Sequence, residues 1–180
     1  RAARYVDDEL ARLVGALGRS RDLGRTVVIG TSDHGQSLDV QRPARPVNYY
    51  QSVLRVPLFV HLPESVCADA PELCAALREN RTRRASNLDV LPTVLDLWSS
   101  WPVVDERPPA AGASLLRPLP GSRVMLAIAE SAIGNALADG FALFDGKWKW
   151  IIDEFHGVRL FDLEADPSET KNLAAAAPPA

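Results

Sequence analysis

The sequence predicts an α/β unit followed by a small antiparallel sheet, and three observations carry that prediction. An apolar run, Thr26-Val27-Val28-Ile29-Gly30-Thr31-Ser32, stops at Asp33-His34-Gly35 and reads as a buried strand. Ahead of it, Val6, Leu10, Leu13, Val14 and Leu17 recur at helical spacing with charges between them. Near the other end, Phe141-Ala142-Leu143-Phe144 and Lys147-Trp148-Lys149-Trp150-Ile151-Ile152 flank Asp145-Gly146 as two strands flank a two-residue turn.

The elements follow in order. The first helix ends near Gly18, and Gly24 leads into the strand that stops at Asp33. Gln36 to Val47 has little periodicity and reads as a loop. Val56 to Leu62 reads as a second buried strand, with Pro57 at its start, where a missing donor is tolerated. Pro71 to Glu79 is a short helix with proline in its first turn. Asp89 to Trp98 is another: capping by Asp89 keeps Pro92 in the first turn, whereas a start at Ser86 puts it deeper. Trp101 to Pro120 is proline-rich and reads as a surface connection. From Val124 the pattern is strand-like, with Trp148 and Trp150 expected on the apolar face and their lysine neighbours facing solvent. His156-Gly157 turns the chain into Val158 to Phe161, and the Ala/Pro tail after Leu173 is expected to fray. No internal repeat is visible.

At 180 residues and 47% hydrophobic content the chain can bury a core. A net charge of −3 with scattered basic residues argues against nucleic acid as a partner. Arg78, Arg81, Arg83 and Arg84 cluster, which reads as a solvated face. No apolar run is long enough to span a bilayer. The chain opens on Arg1 inside the helical pattern, which we expect of a portion of a larger protein. Cys67 and Cys74 leave two readings open: a small disulfide loop in an exported protein, or two unrelated thiols.

Asp33 and His34 place a carboxylate and an imidazole at a strand's carboxyl end, where ligands bind in open α/β sheets. That pairing suits a divalent metal. The competing reading is a turn after a strand. The surroundings weigh against it. Ser32-Asp33-His34-Gly35 is followed by Tyr50-Gln51-Ser52-Val53-Leu54-Arg55-Val56-Pro57-Leu58, then by Asp89-Val90-Leu91-Pro92-Thr93-Val94-Leu95-Asp96-Leu97. The run from Leu160 to Leu173, with a turn at Asp166-Pro167, closes the series. In this order, from about Tyr5 to Leu173, the blocks resemble the sulfatase branch of the alkaline phosphatase superfamily.

The resemblance implies the C-terminal part of an alkaline-phosphatase-like α/β/α sandwich plus a small C-terminal antiparallel sheet. Residues 1–122 would be the C-terminal half of the catalytic domain, and residues 123–180 the small subdomain and tail. It implies Asp33 and His34 as ligands of one divalent metal ion. Histidine at the second position favours zinc or manganese over calcium, which prefers oxygen. It implies a small-molecule or glycan sulfate ester as substrate. Any membrane contact would run through an N-terminal segment outside this chain, and a periplasmic, membrane-anchored or secreted location would fit.

The family's nucleophile motif, Cys/Ser-x-Pro-x-Arg, is not matched at Cys67 or Cys74. Asp7 and Asp8 lie on the first helix and read as solvated acids, not as the family's first acidic metal pair. This chain is therefore not expected to turn over substrate alone. Between Gln36 and Asn48 the family usually carries His or Lys; here Arg45, or Arg42, falls near the expected place. An arginine there could clamp an oxyanion, or be an exposed loop residue. Two alternatives stand beside the sulfatase reading. One is a phosphoethanolamine-type transferase or phosphate/phosphonate ester hydrolase of the same superfamily, against which the Leu160–Leu173 run weighs. The other is a silent binding member, which the missing loop His or Lys favours.

Overall fold

The computed structural model describes residues 2–20, 22–36, 49–98, 112–133, 136–154 and 156–174. They fall into two compact units, Arg1–Thr31 with Leu58–Leu119, and Ser32–Pro57 with Pro120–Ala180.

The first unit opens with α1 (Ala2–Arg19), which carries the expected periodicity and ends one residue past Gly18. Strands β1 (Val28–Thr31) and β2 (Leu58–His61) pair antiparallel, Val28 opposite His61 and Thr31 opposite Leu58. Both are half-buried to exposed, not the buried strands the apolar runs suggested, because among the described residues each has one neighbour. His61, at the end of β2, is exposed. Helices α3 (Glu64–Asp69) and α4 (Pro71–Asn80) are stapled by a Cys67–Cys74 disulfide, with a Cα–Cα distance of 5.6 Å. Of the two cysteine readings, the structure has the disulfide loop. Leu62, the disulfide and Leu116 form the core, flanked by Val27, Val60, Val66, Leu73, Leu77 and Leu97.

Helix α5 (Val90–Leu97) shows why proline-rich sequence hides structure. Asp89 stands at the N-cap position of α5 but makes no capping bond with its side chain; its Oδ2 reaches back to Ser86 N–H at 2.8 Å, while Ser86 Oγ accepts from Leu88 N–H. A 3₁₀ turn at Asn87–Asp89 then leads into α5, so Pro92 still falls in the first α-helical turn. Asp89 is buried because its other oxygen accepts Ala113 N–H at 2.7 Å. The segment from Ala113 to Leu119 was expected on the surface. Instead Leu115, Leu116 and Leu119 are buried. Side chains take the place of a ladder there. Asn80 donates to the Leu115 and Arg117 carbonyls and accepts Leu119 N–H, while Thr93 Oγ1 accepts Leu115 N–H. Buried backbone groups must be paired, and a leucine-rich loop with no sheet depends on such side chains.

The second unit is a four-stranded meander, β3 (Met125–Ile133), β4 (Ala136–Asp145), β5 (Trp148–Asp153) and β6 (Gly157–Asp162), in sequential order. The predicted hairpin is present, with its turn one residue later, at Gly146-Lys147, because Asp145 pairs with Trp148. Gly146 takes φ +51 at the first turn position, where a Cβ would be strained.

The faces of the meander are the reverse of the expectation. The core side holds Ala142, Phe144, Lys149, Ile151, Arg159 and Phe161; Trp148 and Trp150 lie half-buried on the other. Lys149 is fully buried, flanked in register by Phe144 and Phe161. Its Nζ donates to Glu169 Oε1 and lies 5.1 Å from the Phe144 ring centroid. Glu169 sits in the closing run with φ 55, its N–H on the Asp166 carbonyl at 3.0 Å. The counter-charge is what lets a lysine occupy a core position. The rest of that run is equally tied. Asp162 accepts from Glu164 and Ala165 N–H, Asp166 from Thr170 and Lys171, and Asn172 Oδ1 from Leu160 N–H. Tyr49, Tyr50 and Leu54, beside and within α2 (Gln51–Leu54), complete the core.

Two predictions follow from these pairs. Lys149→Ala strands a buried carboxylate and should lower stability in urea by about 3–5 kcal/mol. A loss under 1 kcal/mol would mean that water reaches Glu169. The second concerns Asp162, whose carboxyl is held below the usual carboxylate range, first by the Lys147 ammonium at 2.7 Å and then by Ala165 N–H. A depressed folded-state value gives stability that is present at neutral pH and is lost as pH falls through the folded value. The Tm gap between wild type and Asp162→Asn should therefore be widest near neutrality and close on acidification. A gap independent of pH would exclude the charge as its source.

Candidate functional site

Asp33 and His34 follow β1 and belong to the second unit. A hydrogen-bonded turn forms there. His34 N–H donates to Asp33 Oδ1 at 2.8 Å, and the Ser32 hydroxyl donates to the His34 carbonyl at 2.8 Å. The His34 N–H, and then the His34 charge, hold the Asp33 carboxyl below its ordinary value, with a smaller contribution from Ser32. Asp33 is thus kept as a carboxylate, an acceptor.

The ring of His34 is fixed as firmly. Its Nδ1 lies 2.7 Å from the Gly35 carbonyl oxygen. A carbonyl can only accept, so Nδ1 carries the proton, and in the neutral ring Nε2 is the atom with a lone pair. Nε2 lies 3.8 Å from Asp33 Oδ2, and both side chains are exposed. Two electron-donating atoms at that separation have no proton between them in this tautomer, and metal–ligand bonds of about 2.0–2.4 Å let one cation reach both. Among the described residues, no group of three or more His, Cys, Asp or Glu comes together. Chemically, the turn offers two donor atoms, one imidazole nitrogen and one carboxylate oxygen.

Gly35 shows what places the turn. Its N–H donates to the Val53 carbonyl at 2.7 Å. A Cβ there would lie 2.4 Å from the Ser52 carbonyl oxygen and 3.2 Å from that of Val53. The glycine is required by the close approach of α2, not by a left-handed backbone. At its other end α2 is held by Glu169, whose Oε2 accepts Gln51 N–H at 2.6 Å. Neither Glu169 nor Lys149 was singled out in the sequence. The signal that could have found them is an acid in the closing run and a lysine inside an aromatic strand.

Of the other candidates, Arg45 and Arg42 lie outside the described residues. Asp7 and Asp8 are exposed on α1. His156 is a turn residue, paired with Asp153 Oδ1 at 3.0 Å.

The sulfatase family model matches residues 1–100, over half of the chain, with the Asp33-His34 turn inside the match. The chain belongs to the sulfatase family. It is 33% identical over 171 residues to the choline-sulfatase of Rhizobium meliloti (strain 1021), a match covering 94% of this chain and 31% of that protein. To the arylsulfatase K of Gallus gallus it is 30% identical over 185 residues, covering 94% of this chain and 31% of that one. This sulfatase chain thus spans about a third of the length of the curated relatives it matches. Among solved structures it superposes on BT4656, determined in complex with its substrate D-glucosamine-2-N,6-O-disulfate, with a TM-score of 0.62. Identity there is 23%, over 93% of this chain and 34% of the other. BT1596, a 2-O GAG sulfatase, gives a TM-score of 0.57 at 23% identity, over 83% of this chain and 32% of the other. These likenesses bear out the fold class, an alkaline-phosphatase-like mixture of helix and sheet with small antiparallel sheets.

Gly35→Ala should cost about 1–3 kcal/mol, the usual penalty for forcing an extra methyl into a filled space. The urea midpoint should fall and the His34 ring signals should shift in an NMR spectrum. An unchanged midpoint would mean that α2 yields without loss.

Proposed function

We propose that this chain supplies the Asp33–His34 ligand pair of a metal-dependent hydrolase that cleaves sulfate esters. The observation that carries the proposal is the His34 ring. With Nδ1 committed to Gly35, its free nitrogen stands 3.8 Å from the Asp33 carboxylate. Membership of the sulfatase family and the choline-sulfatase relative support sulfate as the group removed. The substrate class we assign is a small-molecule or glycan sulfate ester, which that relative and the glucosamine disulfate bound to BT4656 support.

The donor set of one imidazole nitrogen and one carboxylate oxygen fits zinc or manganese better than calcium. When bound, such a cation supplies neutralisation of the charge that builds on the ester oxygens and activation of the nucleophile. The chain's own residues have defined parts. Asp33 is held ionised by the His34 N–H, and Gly35 keeps the His34 proton on Nδ1. Arg45 we assign as a clamp for the sulfate oxygens, since a guanidinium offers two parallel donors. The nucleophile is assigned to no residue of this chain, which carries no Cys/Ser-x-Pro-x-Arg motif.

In the full-length protein, Asp33→Ala or His34→Ala should remove the bound transition metal, measured by elemental mass spectrometry. Hydrolysis of a chromogenic aryl sulfate should fall about 10²–10³-fold or more, the scale set by losing a main electrostatic stabiliser. Metal content equal to wild type in both variants would rule out the ligand assignment.

A further inference from the structure

Resting on the ligand reading of Asp33 and His34, we infer that Glu169 is a positioning residue for that pair. It acts through α2, with Lys149 as the counter-charge that lets it lie buried. Glu169 Oε2 accepts the N–H of Gln51, 118 residues earlier in the chain. Gln51 opens α2, and two carbonyls of α2, Ser52 and Val53, press against Gly35. The Gly35 carbonyl in turn holds His34 Nδ1.

Each step is needed because α2 cannot hold itself. A single helical turn is unfavourable alone, since nucleation fixes several residues for one hydrogen bond. Tyr50, at its N-cap, makes no capping hydrogen bond with its side chain. The carboxylate of Glu169 supplies that cap from the interior, and an ionised acceptor is the strong kind. Glu169 and Lys149 are both almost wholly inaccessible, at 1% and 0% side-chain exposure, so water cannot substitute for either. Without the cap, the first N–H of α2 is left without its carboxylate acceptor and the turn loosens. The carbonyls facing Gly35 then drift, and the tautomer and orientation of His34 are no longer fixed. Groups that orient a ligating histidine commonly govern metal affinity in this way.

The experiment compares two double variants in the full-length protein by calorimetric titration with Mn²⁺. Both remove the two buried charges together, so neither leaves a lone charge in the core. Lys149→Met with Glu169→Gln keeps an amide oxygen for Gln51 N–H; Lys149→Met with Glu169→Leu does not. The glutamine variant should bind Mn²⁺ with a Kd within about threefold of wild type, and the leucine variant about tenfold more weakly, at matched denaturation midpoints. A role confined to stability would give both the same Kd, and that result overturns the inference. If the leucine variant does not fold, Glu169→Asp takes its place, keeping the charge on a shorter arm. It should bind Mn²⁺ about tenfold more weakly with an unchanged far-ultraviolet spectrum, and wild-type affinity would overturn the inference equally. Failure of the wild-type protein to bind Mn²⁺ is a separate outcome. It removes the ligand reading and this inference with it, and the Asp33→Ala control distinguishes that case from loss of positioning alone.

Discussion

The unit that carries the Asp33–His34 turn is organised around one buried ion pair, Lys149 with Glu169. Neither charge could lie there alone, because an unpaired ion in an apolar interior costs far more than a domain's margin of stability. Together they break roughly even against apolar residues of the same size. What the pair contributes is location. Lys149 is fixed by the β5 ladder, between Phe144 and Phe161. Glu169 must therefore come to it, even at a φ of 55 that a residue with a Cβ rarely adopts. The Asp166 turn delivers Glu169 at that angle, and the second carboxylate oxygen is left aimed at Gln51. Strand, closing run and α2 meet at one carboxylate.

The other unit solves a related problem with neutral groups. Its core includes a loop with leucines to bury and no sheet to pair its backbone. Asn80, Thr93 and Asp89 lie inside and take up that backbone directly. In both units the buried polar side chains serve segments that regular structure cannot satisfy. In both, the polar residue and the segment it serves are far apart in the chain, which is why neither is optional for the local fold.

That separation also decides what the sequence could reveal. The helix at the start, the hairpin around Gly146 and the Asp33-His34 turn depend on neighbours along the chain, and periodicity or a tripeptide shows them. The orientation of β5 does not. A period of two divides its side chains into two faces without saying which is inside. Both faces are apolar, one with Trp148, Trp150 and Ile152, the other with Ile151 against Ala142 and Phe144. The lysines were the natural tie-breaker, and they mislead because the acid that neutralises Lys149 lies 20 residues on. The missing side-chain cap at Asp89 has a similar reason: one of its oxygens is claimed by Ala113, across a proline-rich stretch that carries no pattern. The Asp33–His34 turn itself was legible, whereas what steadies it was not.

The steadying matters because the turn is exposed. The side chains of Asp33 and His34 are 85% and 65% accessible, so packing cannot fix their rotamers. Hydrogen bonds within the turn set the tautomer and keep the carboxylate ionised, but they leave the turn free to move as a body. Its anchor is the backbone of Gly35 against Ser52 and Val53, where a missing Cβ allows contact that no other residue permits. A glycine contact holds position only as well as the surface it touches, and α2 is one turn long. In the reading we propose, the rigidity that a ligand pair requires is borrowed from the interior, through a helix too short to be stable alone. Surface exposure of the donors and burial of the charge that backs them are two halves of one arrangement. In the reading we propose, the first opens the site to a cation and an ester, and the second keeps two donor atoms at a fixed separation until they arrive.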